Sequence, residues 1–487
     1  MQCPANSTAV TGGCQCNPGF QEDPTHTSCQ AAAPELDLLA GNSCKAPAAG
    51  SIAGNPIVPA SNEKLEVQRD YADAGPAALL FTRTYRSNWS SDASRVSVGL
   101  GQVWTHNHST LLKATPVAAP TAVSITSSEG YLRTFTKPAG ASSWVAANSA
   151  DTLIQLGSGA WTYKRADDDS TLSFNAAGKL QTSVTRNGWA MAYAYNAAGQ
   201  LASISNGFGR TLTLSYNSAG QLATVTTPDA RVIAYAYDAT GRLSSVTYPD
   251  AKTRTFVYEN TSFPQALTGI LDETGARWGT FAYDAQGRAI TTELAGTVER
   301  YQVSYPSSGS ATVVDPLGTA RNYSYGTTLG KLAVTGGSLP SGTGEADAAS
   351  RVQDANGLIT SETDFKGAVT TTTWDVARRL PTSITRASGT PEAQTVTTQW
   401  HASFALPVLI TETGRTIAYT YDTLGNRLGE TVTHTGTTPN KVQTRSWTYT
   451  PQSLVATETA PNGGVTSYTY DTSVSYTHLT LPTNREV

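Results

Sequence analysis

A short phrase recurs in this chain at a constant spacing. It consists of an aromatic residue, then Asp or Asn, two small residues, Gly, a polar residue and Leu. The aromatic position falls every 21 residues, at Phe174, Tyr195, Tyr216, Tyr237 and Tyr258. The fifth copy keeps the aromatic residue but loses the turn. A constant period indicates one supersecondary unit stacked many times, so most of the chain is predicted to be a repeat scaffold.

Residues 211–231 show the layout of one unit. Thr211 to Tyr216 alternate polar and apolar side chains, which is typical of a half-buried strand. Asn217 to Gly220 has the residues of a type I turn that ends in a left-handed position. Leu222 begins the return strand, and residues 228–230 turn the chain again. Each unit is therefore predicted to be a β-hairpin followed by a linking turn.

The return strand has one irregular feature. Leu222 and Val225 are three residues apart, so a regular strand would place them on opposite faces. A β-bulge would bring them to one face, and partial covering of both faces would also fit. The sequence leaves both possibilities open.

Later copies are looser but recognisable. Tyr283-Asp284 and Trp374-Asp375 keep the aromatic–acid pair, and Tyr421 begins another full copy. Copies between about 300 and 350 are degenerate, and the Gly/Ser-rich stretch 336–344 is predicted to be a loop. The predicted turn residues are Tyr195, Gly199, Tyr216, Gly220, Tyr237, Asp238, Gly241, Arg242, Tyr421, Asp422 and Gly425.

The phrase Tyr-Asp-x-x-Gly-Arg-Leu at this period resembles the YD repeat of the Rhs family and its relatives, over roughly residues 160 to 472. Upstream, Gly54-Asn55-Pro56-Ile57 and the stretch from Leu80 to Ser87 resemble the domain that precedes Rhs repeats. The resemblance implies a long sheet that spirals into a hollow shell around a C-terminal effector, usually a toxin. In many members an aspartyl self-cleavage site releases that effector inside the shell. Toxin complexes and teneurins use related shells.

The expected fold is all-β, with five parts. Residues 1–30 form a Cys-rich, EGF-like fragment and 31–50 a linker. Residues 51–150 form an Rhs-associated N-terminal β domain and 151–472 the YD-repeat shell. Residues 473–487 resemble a translated sequencing adapter, so we expect them to be non-native and the natural protein to continue beyond 472.

All five cysteines lie in the first 44 residues. Cys14, Cys16 and Cys29 resemble the later half of an EGF-like module, and with Cys3 they are the candidate disulfide cysteines. Disulfides indicate an oxidising compartment, hence a secreted or cell-surface protein. Zinc binding is the alternative, although no second Cys pair accompanies Cys14-x-Cys16. The odd cysteine count suggests that a partner cysteine lies upstream or that Cys44 is free. We interpret Met1 as an internal start, with a signal peptide expected upstream.

Candidate catalytic groups are few. His106 and His108 would lie on one face of a strand, and ordinary structural use is the expected role. Asp167 to Asp169 lack the ligand spacing of a calcium loop and are expected to form a solvated turn. Asp315-Pro316-Leu317-Gly318 faintly resembles the family's cleavage segment but fits an ordinary repeat. Gly99-x-Gly101 lacks the third glycine of a phosphate loop.

The acid in the repeated phrase also argues against catalysis. Asp238 is replaced by Asn at 196 and 217, and an amide cannot do the acid–base work of a carboxylate, whereas either can accept the hydrogen bonds of a turn. No enzyme activity, cofactor or metal is therefore predicted.

Charge restricts the partners. The net charge is −4, spread without runs, so a nucleic-acid partner is not expected, and no apolar run is long enough to span a membrane. The expected function is encapsulation of the protein's own C-terminal effector, with possible contacts to secretion machinery. The alternative is a cell-surface adhesion protein that binds a protein or carbohydrate ligand through its Cys-rich head.

Overall fold

The computed structural model describes residues 7–10, 13–16, 20–22, 29–31, 48–92, 95–116, 119–128, 130–138, 140–141, 143–342, 347–470 and 476–480, with the backbone alone considered for the short segments before 48 and for 476–480. The expected all-β fold is confirmed. Apart from the 3-10 turns Ser87–Ser91 and Ala295–Thr297, the regular elements of this part of the chain are β-strands.

Eleven strands precede the main sheet. They are β1 (Ser7–Val10), β2 (Gly13–Cys16), β3 (Phe20–Glu22), β4 (Cys29–Ala31), β5 (Ile57–Val58), β6 (Glu63–Ala72), β7 (Leu80–Arg86), β8 (Trp104–His106), β9 (Leu111–Thr115), β10 (Ala122–Thr126) and β11 (Leu132–Thr136). Strands β5–β8 form one small antiparallel sheet and β9–β11 another. We call residues 48–150 the lead-in region.

The remaining thirty strands form a single sheet in which each strand pairs with the next in sequence, always antiparallel. The strands are β12 (Thr152–Gln155), β13 (Trp161–Lys164), β14 (Thr171–Phe174), β15 (Leu180–Val184), β16 (Ala190–Tyr195), β17 (Leu201–Asn206), β18 (Thr211–Tyr216), β19 (Leu222–Thr226), β20 (Val232–Tyr237), β21 (Leu243–Thr247), β22 (Thr253–Val257), β23 (Gly269–Leu271), β24 (Arg277–Tyr283), β25 (Ala289–Leu294), β26 (Val298–Ser304), β27 (Ser310–Val314), β28 (Ala320–Thr328), β29 (Lys331–Gly337), β30 (Ser350–Gln353), β31 (Ile359–Thr363), β32 (Val369–Asp375), β33 (Leu380–Arg386), β34 (Gln394–Trp400), β35 (Pro407–Glu412), β36 (Arg415–Tyr421), β37 (Arg427–His434), β38 (Lys441–Tyr449), β39 (Val455–Thr459), β40 (Val465–Tyr470) and β41 (Tyr476–Thr480).

The degenerate stretch between 300 and 350 therefore still supplies strands, because backbone pairing does not need the phrase. The predicted loop at 336–344 begins later than expected, since Gly336 and Gly337 end β29 and pair across to its neighbours.

The two faces of the main sheet differ in composition. One face, the hydroxyl face, carries small polar side chains that bond across strands, as between the Oγ of Ser215 and the Oγ1 of Thr224 at 2.6 Å. Thr448 and Thr457 repeat this contact at 2.7 Å more than 200 residues later. The opposite face, the apolar face, carries Leu214 and Val225, both buried. The two faces differ because successive side chains of a strand point to opposite sides of the sheet.

The lead-in region covers the apolar face from β12 to β29. Phe81 and Trp104 belong to one buried cluster with Leu153 of β12 and Phe281 of β24. A second cluster joins Ala49 and Ile57 to residues as far along as Val334 of β29. A region of about 100 residues has a radius of gyration of only about 13 Å. It can touch eighteen successive strands on one face only if the sheet curls around it, so the apolar face is the inner face.

The sheet winds far enough to meet itself. Ala405, after β34, donates its backbone N–H to Asp169, after β13, and these residues are 236 positions apart. The indole N–H of Trp189 donates to the carbonyl of Gln452, 263 positions away. One winding therefore takes about 21 strands, and at about 4.8 Å per strand its circumference is on the order of 100 Å. Strands after about β33 begin a second winding on top of the first.

Candidate functional site

The acid or amide of the repeated phrase closes each corner, by which we mean the turn between the two strands of a repeat hairpin. The Oδ1 atom of Asp238 accepts the N–H of Thr240 at 2.9 Å and that of Arg242 at 3.0 Å. The Oδ1 atom of Asn217 accepts the N–H groups two and four residues on in the same way. One acceptor oxygen is all that the corner uses, which is why Asp and Asn exchange among the copies.

The glycine of each corner has a conformational reason. Gly220 and Gly241 have φ values of +75° and +82°, in the left-handed region that other residues adopt at a cost. Each donates its N–H back to the carbonyl of the corner residue, at 2.9 Å for Gly220 to Asn217.

A bulge follows every full corner. Tyr216 is opposite Leu222, but Ser215 is opposite Thr224, so Ala223 is the extra residue of the return strand. Leu222 and Val225 consequently lie on the same face, both with none of their surface exposed. The bulge is therefore the correct one of the two explanations left open by the sequence.

The aromatic residue links each repeat to the one before it. The hydroxyl of Tyr216 donates to the carbonyl of Leu201 at 2.9 Å, and the hydroxyl of Tyr237 donates to that of Leu222 at 2.8 Å. Where Trp replaces Tyr, the indole N–H takes over, as from Trp374 to the carbonyl of Ile359 at 2.9 Å. The same bond occurs at Tyr195, Tyr258, Tyr283, Tyr305, Trp400, Tyr421, Tyr449 and Tyr470.

This bond explains why the position requires a donor as well as a ring. Phe174, in the first copy, has no donor and packs in the core instead. Burial raises the pKa of Tyr216 to about 12, so its hydroxyl keeps its proton at any physiological pH. The need for a donor could have been inferred from the sequence, since Tyr or Trp occupies this position in all the later copies. The carbonyl that accepts the hydrogen bond could be identified only from the fold.

The polar residue after the glycine reaches in the other direction. The side chain of Lys179 donates to the carbonyl of Gly199 at 2.7 Å, and that of Gln200 donates to the carbonyl of Gly220 at 2.9 Å. Arg242 instead bonds its own corner acid, with Nε 2.6 Å from Asp238. Partial burial opposes ionisation of Asp238, but bonds from Thr240 and Arg242 outweigh it and lower its pKa to about 2. Side-chain hydrogen bonds thus connect a corner to the preceding repeat through its aromatic residue and, at Lys179 and Gln200, to the following corner.

A buried ion pair, which sequence reasoning missed, fixes the lead-in region to the sheet. Arg83 donates to both carboxylate oxygens of Asp70, at 2.5 and 2.8 Å, and both side chains are fully buried. The hydroxyl of Tyr235 from β20 donates to the same carboxylate at 2.9 Å. Burial alone would lower the pKa of Arg83, but the charge and hydrogen bonds of Asp70 raise it. The pair is therefore held charged inside an apolar interface.

The signal that could have located this pair lies in β6. Lys64, Glu66 and Gln68 alternate along the strand and are buried, whereas Val67 and Arg69 are exposed. A strand whose polar side chains face inward is the reverse of the usual pattern and indicates a partner for each of them. The Oε1 atom of Gln68 accepts a hydrogen bond from the guanidinium of Arg254 of the main sheet at 2.7 Å.

The two candidate histidines lie together in the same interface. His106 ends β8, and His108 follows in the turn, with ring centroids 6.3 Å apart. The Nδ1 atom of His106 accepts the N–H of His108 at 3.2 Å, and the Nε2 atom of His108 lies 2.7 Å from the carbonyl oxygen of Leu80. Burial lowers the pKa of His106 to about 3 and that of His108 to about 4. Both imidazoles are therefore neutral packing groups at neutral pH.

The glycine pair Gly99 and Gly101 binds protein. The carbonyl of Gly99 accepts the N–H of Leu222 at 2.8 Å, and it shares the hydroxyl proton of Tyr237, also at 2.8 Å, with the carbonyl of Leu222. A Cβ atom on Gly101 would lie 3.0 Å from the carbonyl oxygen of Gly241. Close backbone approach between the lead-in region and the corners is what these glycines allow.

One expectation about the acidic triplet is wrong. The side chains of Asp167 and Asp168 are 54% and 25% exposed, but that of Asp169 is only 4% exposed. It is buried because the second winding lies over it, which no local pattern could indicate. Asp315 behaves as expected, since its Oδ1 accepts two backbone N–H groups of its own turn.

Within the described residues, no three His, Cys, Asp or Glu side chains are arranged to hold a metal ion. The candidate disulfide residues lie outside this test: Cys3 is not described, and for Cys14, Cys16 and Cys29 only the strand backbone is. None of the helical turns in the described part of the chain is long and apolar enough to cross a membrane.

Corners, bulges and a single wound sheet define a β-hairpin repeat protein with a shell-type wall. A family profile named teneurin YD-shell matches residues 153–333, and one named RHS repeat matches 354–391. Residues 153–333 and 354–391 of the main sheet are therefore repeats of the YD and Rhs type. The lead-in region matches a domain of unknown function, DUF6531, over residues 54–135.

A search of curated proteins found no match. Among solved structures, the chain is similar to the Tc holotoxin pore of Photorhabdus luminescens, with 11% identity, a TM-score of 0.44, and coverage of 88% of this chain and 28% of that one. It is also similar to TcdB2-TccC3 without its hypervariable C-terminal region, with 13% identity, a TM-score of 0.46, and coverage of 92% and 28%. The chain thus spans less than a third of either structure.

Proposed function

We propose that this chain is the encapsulating wall of a secreted Rhs-type polymorphic toxin, whose effector domain lies outside the 487 residues. The observation that carries the proposal is the winding of one continuous sheet around the lead-in region, with the second winding contacting the first. A wall of this kind separates an enclosed volume from the surroundings.

The chemistry of the wall supports a mechanical role. Its corners use side chains to accept backbone N–H groups, and an amide serves as well as an acid. The buried titratable groups are paired or neutral, as in the Asp70–Arg83 pair and the two histidines. Exclusion of water and of targets by the wall requires no catalytic residue, so we propose that this portion is not an enzyme.

The partners and location belong to the same proposal. The enclosed cargo would be the protein's own C-terminal effector, and the protein would act outside the producing cell or on its surface.

The wall can be tested with two neighbouring threonines of β32. Thr372 pairs with Ile384 and lies on the inner face, whereas Thr373 lies on the hydroxyl face and bonds Thr382. We would introduce Thr372→Cys or Thr373→Cys and follow labelling by a small maleimide and by a 5-kDa polymer maleimide, with peptide-level mass spectrometry separating these sites from the native cysteines.

We expect the small reagent to label both positions and the polymer reagent to label position 373 several-fold faster than 372. Equal polymer labelling at the two positions would show that the sheet is an open ribbon, and the encapsulation proposal would be abandoned.

The second candidate function is cell-surface adhesion, favoured by the Cys-rich head that resembles an EGF-like module. Expression of the natural gene with and without its last domain, scored by growth of neighbouring cells, separates the two. Loss of growth that depends on the last domain supports the toxin. Harmless full-length protein that binds a glycan or protein ligand supports adhesion.

A further inference from the structure

The two windings meet along a seam. Linking turns 165–170 and 185–189 of the first winding contact the corners at 401–405, 422–426 and 450–453 of the second. The indole of Trp189 donates to the carbonyl of Gln452 at 2.8 Å. A Cβ atom on Gly425 would lie 2.6 Å from the Cδ atom of Arg186, so the corner glycine also lets the windings approach closely.

Asp169 has the most buried carboxylate of this seam. Its Oδ2 atom accepts the N–H of Ala405 at 2.9 Å and a guanidinium N–H of Arg186 at 3.1 Å. The ammonium of Lys164 is 3.8 Å from its Oδ1 atom. A hydrogen bond from a backbone N–H to a buried, charge-paired carboxylate is stronger than a neutral one.

The corner that Asp169 contacts is unusual. In regular corners the N–H four residues after the corner acid bonds that same acid, as Arg242 bonds Asp238 and Asn426 bonds Asp422. The corner that begins with His401 is one residue longer, because its backbone N–H bonds the carbonyl of Leu406 and Trp400 is opposite Pro407. Its imidazole Nδ1 accepts the N–H groups of Ser403 and Phe404, each at 3.2 Å.

The fourth amide of that corner, Ala405, is therefore left for an acceptor from elsewhere, and Asp169 is that acceptor. A carboxylate from the first winding thus accepts an N–H of this longer corner that the corner's own side chain does not bond. Asp169 is itself held in the left-handed region, with φ of +58°, and this aims its side chain at the seam.

We propose that Asp169 latches the second winding onto the first by accepting the Ala405 N–H of the His401 corner in trans. The latch sets which corner lies over which linking turn, and so the register between windings. It goes beyond encapsulation, because it identifies the residue on which closure between windings depends.

Amide hydrogen exchange at Ala405, resolved by electron-transfer fragmentation, tests the latch. In the wild type we expect Ala405 to be protected to a degree similar to Arg242 and Asn426, whose amides bond the carboxylate of their own corner. An unprotected Ala405 in the wild type overturns the proposal without any substitution.

The substitution Asp169→Ala should increase exchange at Ala405 by about tenfold or more, because a charge-assisted hydrogen bond of this kind contributes about 1.5–3 kcal/mol. The matched control is Asp167→Ala, which removes a neighbouring exposed acid and should leave exchange at Ala405 unchanged. Equal effects of the two substitutions, or no effect of Asp169→Ala, would contradict the latch.

The variant Asp169→Asn gives the decisive comparison. It keeps an oxygen that can accept the N–H of Ala405 and removes the charge that pairs with Arg186 and Lys164. Exchange at Ala405 should therefore rise less than in Asp169→Ala. A loss of protection as large as in Asp169→Ala would mean that the hydrogen bond to Ala405 is not what holds the windings together, and the latch would be rejected.

Discussion

The main sheet has two regions that share the same corners but differ in what lies on their inner face. From β12 to β29 the lead-in region covers that face, and leucine, valine and aromatic side chains are buried there. After Leu358, the described part of the chain buries a single apolar side chain, Leu454. The inner face of this uncovered region instead mixes half-buried Ile417 and Val432 with the ion pair of Arg445 and Glu458.

The comparison shows that the hydrogen bonds of the repeat do not depend on a buried apolar core. Tyr421 of the uncovered region bonds the carbonyl of Pro407 at 2.8 Å, just as Tyr216 of the covered region bonds that of Leu201 at 2.9 Å. Local corner geometry therefore holds the hairpins together where no described segment covers the inner face. Burial adds stability only where the lead-in region lies against the sheet.

The largest difference between the regions should come from their ion pairs. Replacing Asp70 by Ala leaves the guanidinium of Arg83 buried without its carboxylate, which should cost about 3–5 kcal/mol. The control is Glu458→Ala in the uncovered region, where the pair with Arg445 is partly exposed, and this should cost less than about 1 kcal/mol. Denaturant titration monitored by tryptophan fluorescence measures both, and similar losses would contradict the comparison.

Acid should selectively weaken the covered region. The pKa values of His106 and His108 are lowered to about 3 and about 4, from about 6.5 when unfolded. Stability is therefore complete above pH 6.5 and is lost as the pH falls toward 4, by roughly 2–4 kcal/mol for the pair at pH 5. Between pH 7 and pH 5, hydrogen-exchange protection factors should fall more in β7 and β8 than in residues 359–470.

The control for this pH effect is the double variant His106→Asn with His108→Gln, which keeps polar atoms but does not titrate in this range. It should flatten the pH dependence in the lead-in region. An unchanged profile in the double variant would assign the acid effect to other groups.

Two valines on the same face allow the stability contributed by the lead-in region to be measured. Val225 in the covered region has none of its surface exposed, whereas Val432 lies on the same face in the uncovered region and is half-buried. Truncation of Val225 to Ala should cost about 2–3 kcal/mol, and that of Val432 less than about 1 kcal/mol. Thermal and denaturant unfolding midpoints of the two variants give the two losses of stability. Equal losses would mean that another segment also covers the inner face around Val432.

The smallest effect should be the same in both regions. Tyr216→Phe and Tyr421→Phe each remove one hydroxyl that donates to a carbonyl and keep the ring, so each should cost about 1 kcal/mol. Equal losses confirm that the corner works independently of the core. A much larger loss at Tyr216 would indicate that the lead-in region also depends on this bond.

Sequence reasoning predicted the corners well because their hydrogen bonds are local. The acceptor of Asn217 and the left-handed Gly220 both follow from residues within one turn. The bulge between Leu222 and Val225 was visible only as a conflict in periodicity, and the register resolved it. Asp169 was misjudged because its partner Ala405 is 236 residues away.

What the sequence alone determined is the hairpin: its period, its corner and the alternation of its two faces, because each depends on residues within about 21 positions. The tertiary structure decided which face is inner, where the cover ends and which carboxylates are buried. Those properties depend on how far the sheet curls before it meets itself, and that curvature is a sum over many strands that no single repeat contains.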